Sequence, residues 1–117
     1  RLVQALTQYF RFDRVVLVVG TSRDKDIAGI VDGLLPLNAK VIVTRSKNPR
    51  AADITALEAE FHTRGVKANE AETVDSAVAL ALREAGPKDL VCVTGSLFVV
   101  AEAIEYHEAT GERNSLG

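Results

Sequence analysis

The stretch VVLVV at residues 15–19 decides the fold. It is an unbroken apolar run, rich in β-branched valine, rather than an alternation of apolar and polar residues. Such runs are typical of strands that a parallel sheet buries on both faces. Two further runs of this kind follow, VIV at residues 41–43 and LVCV at residues 90–93, and a weaker strand is predicted at residues 66–69. The sequence therefore predicts a mainly parallel sheet.

Segments with helical periodicity fill the gaps between these strands. Apolar residues recur at the i, i+3, i+4, i+7 spacing in four segments: 27–34, 54–61, 74–82 and 97–104. An amphipathic segment at residues 1–10 precedes the first strand. Asp53 and Thr73 are predicted N-caps, and Gly65 follows a helix end. Strict alternation of helices and strands predicts a Rossmann-like α/β domain with three α/β/α layers.

Length and composition fit one domain. The 117 residues suffice for a single core, expected over residues 1–108 with a frayed polar tail at 109–117. The 14 basic and 16 acidic residues leave a net charge of −2, so no global field attracts nucleic acid or an anionic membrane. No apolar run approaches the roughly 18 residues that span a bilayer, and the first residues do not show the charged-then-apolar pattern expected of a signal peptide. A cytoplasmic location is therefore expected.

Metal, disulfide and nucleophilic chemistry is not expected from this chain alone. Cys92 is the single cysteine, lies in an apolar run and is interpreted as a buried thiol. His62 and His107 lack a matched ligand at metal-binding spacing. Neither a GxxxxGK[ST] phosphate loop nor a GxGxxG fingerprint occurs, nor does a Ser-His-Asp or Cys-His arrangement. We therefore assign no catalytic residue and expect no self-sufficient active site.

The segments that follow the three strong strands carry the candidate site. Ligands of parallel α/β sheets bind outside the carboxyl ends of the strands, where loops and helix N-termini gather. These segments are GTSRDKD at 20–26, TRSKNPR at 44–50 and TGS at 94–96. Five of the 14 basic residues fall in them: Arg23, Lys25, Arg45, Lys47 and Arg50. We expect an anionic ligand or partner at this edge, although solvated loops and helix capping would account for the same residue types.

Three spaced segments carry a resemblance to a known family. They are VVGTSRDKDIAGIVDGLLPL at 18–37, VIVTRSKNPRAAD at 41–53 and DLVCVTGSLFVVAEA at 89–103. In this order and spacing the chain resembles the C-terminal domain of the folylpolyglutamate synthase and dihydrofolate synthase family, within the Mur ligase superfamily. The resemblance covers about residues 15–104.

The resemblance implies an ATP-dependent ligase that adds L-glutamate to a folate or to dihydropteroate. In this family a central P-loop domain of the same chain binds ATP and Mg²⁺ and phosphorylates the folate carboxylate. The C-terminal domain closes over ATP and presents glutamate, whose amine attacks the acyl phosphate. ATP, Mg²⁺, glutamate and folate are thus expected for the full-length enzyme, and no cofactor is expected to bind this chain alone.

Two residues are the leading candidates for glutamate binding. Lys25 in DKD and Ser96 in TGS match positions that contact the incoming amino acid in related Mur ligases, so the resemblance implies this role for them. Asp24 and Asp26 flank Lys25 and are expected to cap the following helix and to orient the lysine.

Four further residues are expected to line the cleft. Asn48 and Arg50 of the NPR segment are expected to shape the cleft or the contact between domains. Thr94 and Gly95 complete the TGS turn, where glycine allows close approach of the backbone to a carboxylate or phosphate.

One departure from the family pattern concerns the start of the chain. The family places a DGAHNP-like segment, with an ATP-contacting Asp and His, before the helix at residues 1–10. We therefore expect the sheet to lack its first strand here and this chain alone to have no ligase activity and little affinity for ATP. Two alternatives stay open: another Mur-type amino-acid ligase, of the peptidoglycan-precursor or cyanophycin kind, and a non-catalytic α/β module that binds an anion or a protein.

Overall fold

The computed structural model describes residues 14–95 and 97–109. Over these residues strands and α-helices alternate along the chain. The strands are β1 Val15–Gly20, β2 Lys40–Val43, β3 Ala68–Glu70 and β4 Leu90–Gly95. The helices are α1 Ile27–Leu34, α2 Ile54–His62, α3 Val74–Glu84 and α4 Leu97–Ala109, with a short 3₁₀ helix at Leu35–Leu37. Within the described residues the predicted elements are confirmed, except that the weak strand begins two residues later than predicted.

The four strands form one parallel sheet in the order β3-β2-β1-β4. β1 pairs in parallel with β2 and with β4, and β2 pairs in parallel with β3. All four carboxyl ends therefore point to the same edge of the sheet. β1 is central, and all six of its residues are buried.

Two helical layers cover the sheet, which confirms the predicted three-layer architecture. Alternate residues of β1 face opposite layers because side chains of a strand alternate between its faces. Leu17 packs in a cluster with Leu57 and Phe61 of α2 and with buried residues of α1. Val18 packs on the other face, in a cluster with Ala77 and Ala81 of α3. Fully burying a side chain such as Leu57 stabilises the fold by about 1.5–3 kcal/mol, so these clusters hold the layers together.

The fourth helix packs mainly on α3. Val74 and Val78 of α3 form a cluster with Val99 and Ala103 of α4. Cys92 on β4 is partly buried, and desolvation raises the pKa of its thiol. Among the described helices, none is both long and apolar enough to cross a bilayer.

The helix boundaries follow the predicted signals with one exception. Thr73 caps α3 through a reciprocal capping box with Ser76, and Gly65 adopts φ 78° after the end of α2. Asp53 occupies the N-cap position of α2, but its side chain makes no capping hydrogen bond. Its carboxylate instead lies 3.7 Å from the guanidinium of Arg45. Asp53 is therefore at the predicted N-cap position, but its side chain is paired with an arginine of the preceding loop and does not cap the helix amides.

The helix predicted at residues 1–10, Ser96 and residues 110–117 of the tail predicted at 109–117 lie outside the described residues, whereas Ala109 is the last residue of α4. The expected absence of a first strand and the expected extent of the domain stay predictions.

Candidate functional site

The loops that leave β1, β2 and β4 meet at the carboxyl edge of the sheet. We call this region the strand-end edge and define it as residues 20–26, 44–53 and 94–95. Its base is held by the sheet itself: the amide of Thr44 donates to the carbonyl of Val19 over 2.9 Å, and Gly20 stands opposite Gly95 in register. The edge is where parallel α/β sheets bind ligands.

Backbone hydrogen bonds tie the first two loops of the strand-end edge to each other. The amide of Arg23 donates to the carbonyl of Arg50 over 2.8 Å, and the amide of Ala52 donates to the carbonyl of Thr21 over 2.8 Å. Ala52 is also buried. The segments DKD and NPR, which are separate in sequence, therefore form one connected surface.

Asn48 organises the turn of the second loop. Its side-chain oxygen accepts a hydrogen bond from the amide of Arg50 over 2.9 Å, and its carbonyl accepts from the amide of Ala51 over 3.0 Å. Its own amide donates to the hydroxyl of Ser46, a buried residue, over 3.2 Å. Asn and Ser side chains commonly stabilise turns in this way. Asn48 thus shapes the loop on which Arg50 stands.

Lys25 is exposed in the first loop, just before α1. Its amide donates to the carbonyl of Ser22 over 3.1 Å, and its side chain makes no ion pair with a residue that the structure describes. Asp26 caps α1, because its carboxylate accepts a hydrogen bond from the amide of Gly29 over 3.1 Å. Asp24 is exposed and is not the cap. The structure therefore assigns capping to Asp26, and it shows no contact by which either carboxylate orients the lysine side chain.

The turn after β4 is shaped by glycine. Gly95 has φ 118°, and a Cβ atom at this position would lie 1.5 Å from the carbonyl oxygen of Gly20. A Cβ atom on Gly20 would lie 2.9 Å from the carbonyl oxygen of Thr44. Both positions therefore need glycine so that the three chain segments can converge. Ser96, the predicted partner of Lys25, follows directly but lies outside the described residues, so their predicted proximity is not tested.

Comparison with known proteins identifies the family. The model of the Mur ligase glutamate ligase domain matches residues 1–97. The chain belongs to the Mur ligase family. A curated relative of this Mur ligase domain is the probable bifunctional folylpolyglutamate synthase/dihydropteroate synthase of Halobacterium salinarum, 41% identical over 95 residues. The match covers 80% of the chain but 12% of that relative.

Solved structures agree with this relationship. Escherichia coli FolC in complex with ADP superposes on the Mur ligase domain with a TM-score of 0.85 and 26% identity, covering 95% of this chain and 26% of that chain. A bifunctional folylpolyglutamate synthase/dihydrofolate synthase with Mn, AMPPNP and L-glutamate bound gives a TM-score of 0.71 and 26% identity, covering 94% of this chain and 25% of that chain. The chain thus spans about a quarter of each structure, and the predicted family resemblance is confirmed.

The strand-end edge of this Mur ligase domain carries exposed, positively charged side chains. Arg23, Lys25, Lys47 and Arg50 have exposed side chains, and none forms an ion pair with a described residue. Arg45 is half-buried and faces Asp53. Four exposed cations on a braced surface suit a ligand that carries carboxylates or phosphates.

Sequence reasoning missed two residues of the strand-end edge and its border. Glu102 of α4 accepts a hydrogen bond from the backbone amide of Lys47 over 2.9 Å. A signal was present, since Glu102 is the one charged residue in the apolar stretch LFVVAEAI at 97–104. Thr44 is fully buried, and its hydroxyl finds no hydrogen-bond partner in the part of the chain that the structure describes. Nothing in the sequence pattern marked that hydroxyl.

Proposed function

We propose that this Mur ligase domain is the C-terminal, glutamate-presenting part of an ATP-dependent folate ligase of the folylpolyglutamate synthase/dihydrofolate synthase kind. The observation that carries the proposal is the strand-end edge, on which two basic loops are hydrogen-bonded to each other and present four exposed cations that form no ion pair with a described residue. The relationship to enzymes with these names supports the folate branch.

The reaction requires two substrates to be brought together. The carboxylate of a folate or of dihydropteroate is first phosphorylated by ATP, and the free amine of glutamate then attacks the acyl carbon. An amide bond forms, the bond from the acyl carbon to the phosphate oxygen breaks, and phosphate leaves with the electron pair. The contribution of this domain is to fix the two glutamate carboxylates so that the amine faces the acyl phosphate, which is catalysis by proximity and orientation.

The residues proposed for that task are Lys25 and Ser96. The ammonium group of Lys25 would pair with a glutamate carboxylate, and Ser96 would offer its hydroxyl and amide at the start of α4. The turn built by Asn48 supports this role for the edge, because it presents Arg50 on the loop that is hydrogen-bonded to the lysine loop. Thr94 and Gly95 complete the proposed cleft.

ATP and Mg²⁺ belong to the proposed P-loop domain of the same chain rather than to this one. Within the described residues no group of three or more His, Cys, Asp or Glu side chains is arranged to hold a metal ion. The exposed cations of the strand-end edge fit the negative charge of ATP phosphates that face it when the two domains close. The proposed enzyme is cytoplasmic, with neither nucleic acid nor membrane as a partner.

The test measures phosphate release by the full-length protein with ATP, Mg²⁺, L-glutamate and a reduced folate or dihydropteroate. Replacing Lys25 with alanine removes one charge-assisted contact, so we expect the KM for glutamate to rise by about tenfold or more while the KM for ATP stays within about twofold. Ser96→Ala is expected to act in the same direction. The matched control is Lys67→Ala, an exposed lysine that precedes β3 at the opposite edge of the sheet.

The outcomes separate the parts of the proposal. Wild-type turnover that depends on folate and glutamate, weakened by Lys25→Ala but not by Lys67→Ala, supports both the function and the site. Wild-type turnover with an unchanged glutamate KM in Lys25→Ala contradicts the site. Turnover that requires a different amino acid or a non-folate acceptor would assign the chain to another branch of the Mur ligases.

A further inference from the structure

One side chain connects α4 to the basic loop after β2. The carboxylate of Glu102 accepts a hydrogen bond from the amide of Lys47 over 2.9 Å, across 55 residues of sequence. Glu102 is half-buried, whereas Glu105, three residues later on the same helix, is exposed and has no hydrogen bond or ion pair with a described residue. Glu102 therefore differs from an ordinary solvated glutamate.

The loop that Glu102 contacts is bonded at both ends to β1 and to the first loop, and its middle is stabilised by its own side chains. The amide of Asn48 donates to the hydroxyl of Ser46, and the amide of Arg50 donates to the side chain of Asn48, so both acceptors lie two residues from the donor. Such local bonds set the shape of the loop but not its position. The bond from Lys47 to Glu102 sets its position relative to α4, whose first turn follows Gly95 in the strand-end edge.

The same loop is bonded on its other side to the segment that carries Lys25. The carbonyl of Arg50 accepts from the amide of Arg23, two residues before Lys25. The second loop is therefore hydrogen-bonded to α4 through Lys47 and to the first loop through Arg50. A shift of the second loop relative to α4 is thus expected to move the segment that carries Lys25.

The charge of Glu102 argues that its role is geometric. A carboxylate that contacts the backbone of Lys47 lowers the positive potential of the strand-end edge, and so by itself it opposes the binding of an anion. A charged acceptor also makes a stronger hydrogen bond to a backbone amide than a neutral one does. The Glu102 side chain thus lowers the positive potential of the strand-end edge, but it holds the loop at residues 44–53 in place more firmly than a neutral acceptor would.

We propose that Glu102 is a positioning residue for the amino-acid substrate, holding the loop at residues 44–53, and through it Lys25, at a fixed place relative to the start of α4. This inference rests on the proposed function. Glu102 acts through the loop and does not touch the substrate. Its loss removes no cation from the strand-end edge, but it lets the loop at residues 44–53, and with it Lys25, move relative to α4.

The experiment compares Glu102→Ala, Glu102→Gln and the control Glu105→Ala in the full-length protein. Glutamine keeps an acceptor oxygen at the same place and removes the negative charge, whereas alanine removes the acceptor. We expect Glu102→Ala to raise the KM for glutamate by about tenfold, with the KM for ATP within about twofold, and Glu102→Gln and Glu105→Ala to stay within about threefold of wild type.

Hydrogen exchange of the peptide spanning residues 44–53 supplies a readout that does not depend on turnover. Faster exchange there in Glu102→Ala, and not in Glu102→Gln, is expected because only the first variant frees the amide of Lys47. A glutamate KM that is unchanged in Glu102→Ala, in a protein whose wild type is active, overturns the positioning role and leaves the proposed function standing. A wild type that releases no phosphate with glutamate and folate overturns the proposed function and the substrate role of Glu102 together. In that case hydrogen exchange still shows whether the bond between Glu102 and Lys47 holds the loop at residues 44–53 in place.

Discussion

At the scale of single residues, Gly20 and Gly95 bring the carboxyl ends of β1 and β4 into contact. Gly95 adopts φ 118°, a conformation that costs other residues about 1–3 kcal/mol when the fold enforces it. The 1.5 Å approach of its missing Cβ to the carbonyl of Gly20 leaves no room for relaxation of a side chain, because the obstacle is backbone. The turn of the candidate site therefore depends on the absence of a side chain.

Replacing Gly95 with alanine is expected to lower the free energy of unfolding by about 3 kcal/mol or more, since it adds both conformational strain and a backbone clash. Chemical denaturation measures this change. The matched control is Gly33→Ala in α1, where a Cβ would meet nothing within 4 Å and where alanine is expected to stabilise the helix by up to about 1 kcal/mol. If the Gly95→Ala variant were as stable as the wild type, the carboxyl ends of β1 and β4 would have to lie further apart in solution than they do in this structure.

At the scale of elements, three helices begin with a polar N-cap but use it in three ways. Asp26 accepts one hydrogen bond from the first turn of α1, and Thr73 exchanges two with Ser76 at the start of α3. Asp53 precedes α2 without a capping bond and faces Arg45 instead. Equal cap positions in the sequence therefore do not give equal stabilisation.

Thr73→Ala is expected to lower the free energy of unfolding by about 1 kcal/mol, because it leaves the amide of Ser76 without its acceptor. Asp53→Ala is expected to change it by less than about 0.5 kcal/mol, since it removes only an exposed ion pair. Urea denaturation of the two variants side by side provides the comparison. Equal losses from both would mean that Asp53 caps α2 in solution after all.

Sequence patterns predicted most elements because their signals are local. The unbroken apolar run at residues 15–19 indicates by itself a strand that is buried on both faces. Thr73 forms its capping bonds with a residue only three positions away. The same patterns could not predict that Asp53 would face Arg45, or that Glu102 would bond to Lys47, because both contacts require the loop after β2 to be placed first.

Much of the candidate site was likewise predictable from one topological rule. Parallel strands place their following loops at one edge, and this rule alone brings DKD and NPR together, as the bond between Arg23 and Arg50 shows. The rule gives no side-chain directions. Lys25 lies in the loop after β1 at this edge, whereas the capping assigned jointly to Asp24 and Asp26 is made by Asp26 alone.

At the scale of the whole molecule, an ion pair connects several elements at the edge of the sheet opposite to the candidate site. Arg14 lies 2.8 Å from Asp89 and also donates to the carbonyl of Glu84 over 2.9 Å. Asp89 accepts a further bond from the amide of Gly86 over 2.7 Å. This backbone hydrogen bond, followed by the contact with Arg14, lowers the pKa of Asp89. The start of β1, the end of α3 and the start of β4 are joined there.

The stability of the domain should therefore depend on pH through Asp89. Because its folded pKa lies below its ordinary value of 3.8, its contribution is fully present above that pH and is lost as the pH falls through the folded pKa. We expect Asp89→Asn to have a lower Tm than wild type at neutral pH and a smaller difference below about pH 3.8.

Thermal unfolding measures this dependence when the Tm is determined from pH 7 to pH 2.5 in steps of about one pH unit. The control is Glu72→Gln, because Glu72 is exposed and forms no ion pair with a described residue. A Tm difference between wild type and Asp89→Asn that stays constant across this range would exclude Asp89 as a source of acid sensitivity.

The strand order also has a consequence for how the chain is made. β1 pairs with β4, so that Val15 meets Leu90 and must wait for 75 further residues to leave the ribosome. At about 5–20 residues per second that interval is roughly 4–15 s. During this interval the side of β1 that will pair with β4 exposes unpaired backbone amides and carbonyls, and other unfolded chains can add a strand to such an edge. Completion of β4 during translation thus ends the period in which the emerging domain is most prone to aggregate.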